Sequence, residues 1–161
     1  MVIYILVNDK RTNKAINAIS NRIHKGNYLS KAHSGLYTVI AVSDKGEVGV
    51  DIEKKAERSK ETIRYFFSKY RSFVIEGEID ESLCSFYKTW TAMESYFKLR
   101  KKGFYTDKNF SVDLDRNKII VGSKEHYIAH IDYNNYIICI CTQYEEIRNI
   151  QVIDDMSCVI A

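Results

Sequence analysis

The chain has 161 residues, of which 45% are hydrophobic and 28% are charged, and this composition excludes a disordered or fibrous protein. Lys and Arg number 24 against 21 Asp and Glu, so the net charge of +3 does not predict a nucleic-acid-binding protein. No apolar run approaches the ~20 residues that span a bilayer, and residues 1–7 lack the basic region and cleavage site of a signal peptide. We therefore expect a cytoplasmic protein that binds neither a membrane nor nucleic acid.

The first third of the chain predicts a strand, a helix and a β-hairpin. Residues 2–7 form an apolar run typical of a buried strand, and Thr12 or Asn13 can cap the helix that follows. Two β-rich runs, 37–42 and 47–52, are separated by four residues that include Asp and Gly and therefore suit a hairpin turn.

The rest of the chain predicts short helices, one long helix and a β-meander. The segment from Ile63 to Phe73 has the apolar spacing of one or two short helices, and Asp80 can cap a long helix that runs to about Lys101. Turn residues then separate four β-rich runs, at 109–114, 118–121, 126–131 and 136–142.

Two halves of similar pattern make up the predicted fold. Residues 1–57 form an N-terminal half and residues 58–161 a C-terminal half, and each contains a His followed by a turn and a β-rich run, at His33 and at His130. We predict an α+β fold of two pseudo-symmetric α/β halves, each a small, mostly antiparallel sheet packed on a helix. Together the halves form one compact domain.

Glu94 stands out in the long helix because the residues around it on the helix surface are apolar. Steps of about 100° per residue place it within the inward-facing arc. Because burying an uncompensated carboxylate costs several kcal/mol, Glu94 must be neutral, paired with a cation or bound to a metal. The apolar residues of this arc are Leu83, Phe86, Tyr87, Trp90, Met93 and Phe97.

A second acidic feature lies on the predicted strand at residues 47–53. Val and Ile alternate with the other residues there, so Asp51 and Glu53 share one face of the strand. Together with Glu94 they offer three carboxylates that can hold one divalent cation beside phosphate oxygens, which suits Mg²⁺. Lys98 lies one helical turn beyond Glu94 and can neutralise a phosphate oxygen next to the metal. The residues therefore predict a magnesium site for phosphoryl chemistry.

Other interpretations of these residues remain open. An acidic strand is often only a solvated edge, and Glu94 can pair with Lys98 as an ordinary i,i+4 neighbour on a helix. Alternatively, Asp44 or Asp51 with the segment 53–55 can form the acidic and Glu-x-Lys core of a metal-dependent nuclease. That nuclease core leaves Glu94 unexplained.

Three short motifs follow one another along the chain. Residues 49–53 read Gly-Val-Asp-Ile-Glu, residues 90–98 read Trp-Thr-Ala-Met-Glu-Ser-Tyr-Phe-Lys, and Ala-His-Ser stands upstream at 32–34. The first two resemble the paired signatures of the 4′-phosphopantetheinyl transferases of the surfactin-synthetase-activating type, and the third resembles that family's Ser-His-Ser segment. The resemblance covers about residues 29–103 and implies an active site in the cleft between the two halves, with a shortened N-terminal half.

What the resemblance implies is a transferase that moves the 4′-phosphopantetheine arm of coenzyme A to a serine of an acyl, peptidyl or aryl carrier protein and releases adenosine 3′,5′-bisphosphate. Asp51, Glu53 and Glu94 would hold Mg²⁺ against the pyrophosphate. Asp51, Glu94 and Lys98 would act in catalysis, with Glu94 taking the serine proton directly or through a metal-bound water. His33 and Lys98 would contact the phosphates of coenzyme A. We expect a monomer, because family members with two halves carry the whole cleft in one chain.

The chain departs from this family pattern in several places. Met93 stands where lysine is frequent, Ala32 replaces the first Ser of Ser-His-Ser, and a Gly-Lys-Pro segment upstream is missing. The acidic strand also begins near residue 49, well earlier than in two-half members. These departures leave open an inactive relative that binds coenzyme A or a carrier protein without transfer, although the presence of all three acidic residues argues against it.

Overall fold

The computed structural model describes residues 1–9, 12–22, 27–70, 81–101, 110–144, 147 and 149–154. Within these ranges the chain forms helices and strands that we number in chain order. The helices are α1 (Thr12–Arg22), α2 (Lys60–Tyr70) and α3 (Leu83–Arg100). The strands are β1 (Val2–Val7), β2 (Tyr28–Ser34), β3 (Tyr37–Ser43), β4 (Val48–Lys54), β5 (Phe110–Asp113), β6 (Lys118–Val121), β7 (Lys124–Tyr133), β8 (Tyr136–Thr142) and β9 (Gln151–Ile153). None of these helices has the length and hydropathy needed to cross a membrane.

The strands form two sheets. The first sheet has the order β2-β3-β1-β9 and the second has the order β4-β8-β7-β6-β5. Neighbouring strands are antiparallel except β1 and β9, which are parallel. The predicted α+β fold with mostly antiparallel sheets is confirmed. Each predicted half also gives one strand to the sheet of the other, β4 to the second sheet and β9 to the first.

Most predicted elements form, but the prediction lacks β2 and β9, and α3 starts differently. Its N-cap is Ser82, whose Oγ accepts a hydrogen bond from the backbone N–H of Ser85 at 3.1 Å. The helix ends at Arg100, and its C-cap Lys101 adopts a left-handed conformation with φ of 52°. Residues 71–73, 80 and 109 of the predicted elements lie outside the described ranges.

The predicted hairpin between β3 and β4 does not form. Because β3 is paired with β1 on one edge and with β2 on the other, β4 pairs with β8 in the second sheet instead. The other edge of β4 meets β2, where two serine hydroxyls accept its backbone N–H groups. Val50 donates to Ser30 Oγ at 3.0 Å and Lys54 donates to Ser34 Oγ at 3.2 Å. We call this junction between the two sheets the β2–β4 seam.

The two sheets pack face to face, and helices cover their outer faces. Val48, Val50 and Ile52 of β4 pack against residues of β1 and β3, as the predicted alternation requires. α1 covers the outer face of the first sheet, α3 covers the outer face of the second, and α2 packs against α3. Since side chains alternate along a strand, Asp51 and Glu53 are on the face of β4 that meets α3.

His130 on β7 links the second sheet to α3. Its Nε2 lies 3.0 Å from the backbone carbonyl oxygen of Lys88. A carbonyl oxygen only accepts hydrogen bonds, so this nitrogen carries a proton. Burial is the main cause that lowers the pKa of His130 to about 4, so its ring is neutral near pH 7.

We expect the substitution His130→Gln to reduce the loss of stability on acidification. A histidine whose folded pKa lies below its ordinary value of 6.5 stabilises the fold fully above that pH, and its contribution is lost as the pH falls from 6.5 towards 4. The wild type should therefore lose up to about 1 kcal/mol more per pH unit than the Gln variant, which still offers an N–H to the Lys88 carbonyl. Urea unfolding of both proteins between pH 7 and pH 5 measures this difference. Parallel pH profiles would contradict the prediction.

Candidate active site

α3 crosses β4 at a very short distance, and Gly49 permits this approach. A Cβ atom placed on Gly49 would lie 1.9 Å from the backbone oxygen of Ser95 and 2.7 Å from the backbone nitrogen of Leu99. Any side chain at this position would therefore collide with the helix backbone. The close contact brings Glu94 and Lys98 of α3 to the acidic face of β4.

Asp51 lies at the centre of this acidic cluster and is only 5% exposed. Its Oδ1 accepts a hydrogen bond from Nζ of Lys98 at 2.6 Å. Its Oδ2 is buried and has no hydrogen-bond partner among the described residues. Burial raises the pKa of Asp51 by more than the Lys98 ammonium lowers it. Lys98 thus compensates only part of the cost of burying the Asp51 carboxylate.

Glu53 and Glu94 complete the cluster. Burial is the largest cause that raises the pKa of each carboxyl group, and the charge of Asp51 raises both further. The indole N–H of Trp90 donates to Glu53 and opposes part of the rise in its pKa. Three carboxylates that repel one another thus share this site with the Lys98 ammonium, and the local potential is negative.

The oxygen donors of the cluster are of the kind that Mg²⁺ binds. The unpartnered Oδ2 of Asp51 and the raised pKa values of the three carboxyl groups indicate that the site attracts further positive charge. As the side chains are placed, no three His, Cys, Asp or Glu residues of the described ranges are arranged to hold a metal ion. The oxygen donors therefore have the chemistry to bind a divalent cation. In this structure, however, the Lys98 ammonium is bound to Asp51 in the position of such a cation.

His33 lies beside this cluster and not within it. It stands on β2, one residue before Ser34, whose hydroxyl contacts the backbone of Lys54 at the end of the acidic strand. The His33 side chain is exposed. In the described part of the chain, no hydrogen bond or ion pair joins it to the three carboxylates. The structure thus brings the three carboxylates and Lys98 together and places His33 at their edge.

The acidic cluster lies in a part of the chain that matches a known protein superfamily. The model of the 4′-phosphopantetheinyl transferase superfamily matches residues 47–141, which is more than half of the chain. The chain belongs to this superfamily. The matched range contains the acidic strand, α3 and the second sheet, and it begins after His33.

Individual phosphopantetheinyl transferases match at modest identity. The chain is 26% identical over 132 residues to the 4′-phosphopantetheinyl transferase gsp of Aneurinibacillus migulanus, covering 78% of this chain and 55% of that protein. It is 36% identical over 92 residues to the 4′-phosphopantetheinyl transferase Sfp of Bacillus subtilis (strain 168), covering 56% of this chain and 41% of that protein. It is 35% identical over 103 residues to the 4′-phosphopantetheinyl transferase ffp of Bacillus subtilis, covering 62% of this chain and 46% of that protein. The chain spans about half the length of the curated relatives it matches.

Two departures from the phosphopantetheinyl transferase pattern have a structural explanation. Met93, where the family frequently has lysine, is 1% exposed and packs in the core between α3 and the second sheet. Ala32, where the family has serine, is 4% exposed and packs between the two sheets. Both side chains therefore belong to the core in this member of the superfamily.

Three further residues shape this site without being part of the predicted metal or phosphate contacts. Gly49 permits the approach of α3, Trp90 donates to Glu53, and Ser34 ties β2 to the end of β4. A glycine inside a strand signals a close backbone approach, so the role of Gly49 was open to prediction. The other two roles depend on which elements become neighbours, and no local pattern reveals that.

Proposed function

We propose that this protein transfers the 4′-phosphopantetheine group of coenzyme A to a serine of an apo carrier protein, with Mg²⁺ as cofactor and adenosine 3′,5′-bisphosphate as the second product. The observation that carries the proposal is the acidic cluster with Lys98, formed where α3 crosses β4 and lying inside the range that the family model matches. The relatives gsp and Sfp are themselves described as 4′-phosphopantetheinyl transferases.

The proposed reaction is a displacement at phosphorus. The serine oxygen forms a bond to the phosphorus that carries the pantetheine arm, and the bond from that phosphorus to the bridging oxygen of the adenosine bisphosphate breaks. The serine loses its proton, and negative charge gathers on the leaving oxygen. Barriers of this kind are lowered by positioning and by electrostatic stabilisation more than by covalent chemistry.

The residues of the cluster take separate roles in this proposal. Glu94 accepts the serine proton, since a carboxylate with a raised pKa is a stronger base than an ordinary exposed one. Lys98, whose side chain is 33% exposed, donates to an oxygen of the leaving phosphate. Asp51, Glu53 and Glu94 would hold Mg²⁺, which when bound neutralises charge on the pyrophosphate.

Exposed groups at the rim of the cluster are proposed to meet the two substrates. His33, exposed on β2, contacts a phosphate of coenzyme A at the edge of the site. Lys101, whose side chain is 72% exposed and pairs with Glu47 at 2.9 Å, extends positive charge beyond the end of α3. An acidic acyl, peptidyl or aryl carrier protein would dock there. We propose that the protein acts as a monomer.

The test is mass spectrometry of apo carrier proteins after incubation with purified protein, coenzyme A and Mg²⁺. Acyl, peptidyl and aryl carriers are each supplied with their acceptor serine and, as a matched control, with that serine replaced by alanine. We expect at least one serine-bearing carrier to gain the mass of the phosphopantetheine arm and its alanine form to gain none. If no carrier gains mass while calorimetry shows that coenzyme A binds, the protein is an inactive relative.

The nuclease alternative is not favoured by the geometry. It needs a lysine of the segment 53–55 beside the acidic residues, but Lys55 forms an ion pair with Asp132 and Lys54 is exposed. Asp44 is also exposed. Nicking of plasmid DNA in the presence of Mg²⁺ would nevertheless overturn the transferase proposal.

A further inference from the structure

The turn between β2 and β3 rests on the hydroxyl group of a buried tyrosine from the second sheet. Tyr136 is 3% exposed, and its Oη accepts a hydrogen bond from the backbone N–H of Leu36 at 3.2 Å. Gly35 makes this contact possible, because a Cβ atom placed there would lie 2.6 Å from the same Oη. Its φ of +52° is also a conformation that favours glycine. The turn is thus seated directly on the Tyr136 hydroxyl.

The Tyr136 ring has a second, separate contact. It packs edge to face against Tyr37 with a centroid distance of 4.9 Å. Tyr133 packs in the same manner against Tyr37 with a centroid distance of 5.3 Å. The apolar packing and the hydroxyl contact of Tyr136 can therefore be separated, because a phenylalanine would keep the first and lose the second.

This contact joins the turn to the acidic strand. Tyr136 is the first residue of β8 and pairs with Lys54, the residue after Glu53. The backbone N–H of Lys54 in turn donates to Ser34 Oγ at 3.2 Å, on the residue that follows His33. His33 is thus held near the end of β4 through Ser34 on one side and through the Gly35–Leu36 turn on the other.

We propose that Tyr136 is a positioning residue for coenzyme A. Its hydroxyl fixes the β2–β3 turn against the end of β4 and thereby sets the distance from His33 to the acidic cluster, so that one molecule of coenzyme A can engage both. The inference rests on the proposed function, because His33 contacts a phosphate of coenzyme A only in that proposal. Tyr136 itself lies in the core, so we assign it a positioning role and no direct contact with coenzyme A.

The test compares Tyr136→Phe with Tyr133→Phe. Tyr133 is a matched control, because its ring packs on the same Tyr37 and its hydroxyl donates to Asp154 at 3.2 Å, away from the turn. Loss of the Tyr136 hydroxyl should raise the KM for coenzyme A by about 3- to 10-fold, which corresponds to one neutral hydrogen bond. The kcat at saturating coenzyme A should stay within about twofold. The Tyr133→Phe variant should leave both constants unchanged.

A double substitution shows whether Tyr136 acts through His33. In a His33→Ala background, Tyr136→Phe should raise the KM no further, since effects that pass through one group are not additive. Any of three results would overturn the inference. The Tyr136→Phe variant has the wild-type KM, the two tyrosine variants have equal effects, or Tyr136→Phe raises the KM as much in the His33→Ala background as in the wild type.

The positioning inference can fail separately from the proposed function. If wild-type protein binds coenzyme A but modifies no carrier, the transferase proposal fails. Calorimetric Kd values for coenzyme A then replace KM in the same comparison. If wild-type protein does not bind coenzyme A at all, the positioning inference falls with the function.

Discussion

Replacement of Glu94 by Gln is expected to lower the rate of carrier modification by about 100-fold or more, because a positioned general base contributes about 10²–10⁴ to a rate. The same substitution should keep or raise the stability of the fold. Burial and the charge of Asp51 raise the pKa of Glu94, so the fold destabilises its ionised form relative to the unfolded chain, and a neutral amide of equal size relieves the repulsion. Single-turnover mass spectrometry of the carrier and thermal unfolding of the same sample measure both effects.

Glu125→Gln provides the control for this experiment. Glu125 lies on β7 outside the acidic cluster, and a hydrogen bond from Lys118 at 2.6 Å is the main cause that lowers its pKa. We expect the activity of this variant to equal that of the wild type and its stability not to increase. If the Glu94→Gln protein has the wild-type rate, Glu94 is not the general base. If the Glu94→Gln protein is less stable than the wild type, the proposed electrostatic repulsion at Glu94 is wrong.

Replacement of Gly49 by Ala is expected to damage both the fold and the site. The added methyl group would lie 1.9 Å from the backbone oxygen of Ser95, and a helix backbone cannot yield as a flexible side chain can. We expect a loss of about 3 kcal/mol, at the upper end of what overpacking costs. This corresponds to a fall in Tm of roughly 6–12 °C for a chain of this size. The remaining folded protein should be nearly inactive, because α3 must move away from β4 and take Glu94 and Lys98 with it.

Gly122→Ala separates this steric effect from the general cost of replacing a glycine. A Cβ atom on Gly122 would meet nothing within 4 Å, although its φ of +60° disfavours other residues. The expected cost is about 1 kcal/mol from the backbone conformation alone, with normal activity per folded molecule. If both glycine variants lose the same stability and keep the same activity, the contact at Gly49 does not hold the site together.

Local sequence pattern predicts the faces of the elements well. The alternation along β4 places Asp51 and Glu53 on the side opposite Val50. Helical spacing places Glu94 beside apolar residues, and in the structure it is half-buried at the margin of the core. Both predictions follow from repeats of 2.0 and 3.6 residues, which are properties of one element at a time. These repeats, read together with the motifs, are sufficient to bring the three carboxylates into one hypothesis.

The sequence does not reveal which distant segments of the chain become neighbours in the fold. The turn residues between β3 and β4 suit a hairpin, yet β3 is paired on both edges and β4 pairs with β8, about 90 residues further along the chain. The parallel pairing of β9 with β1 is of the same kind. The contact of Lys98 with Asp51, across 47 residues of sequence, is another such pairing. Contacts of this type depend on the whole packing, and no local propensity contains them.

The β2–β4 seam has a mechanical consequence. Adjacent strands within each sheet are joined by a ladder of backbone hydrogen bonds, but these two edges are joined by the hydroxyl groups of Ser30 and Ser34. Each such bond depends on one rotatable side chain, so the junction resists sliding less than a ladder does. Loss of either hydroxyl group therefore leaves one backbone N–H of β4 without this partner, while the apolar interior that the two sheets share still holds them together.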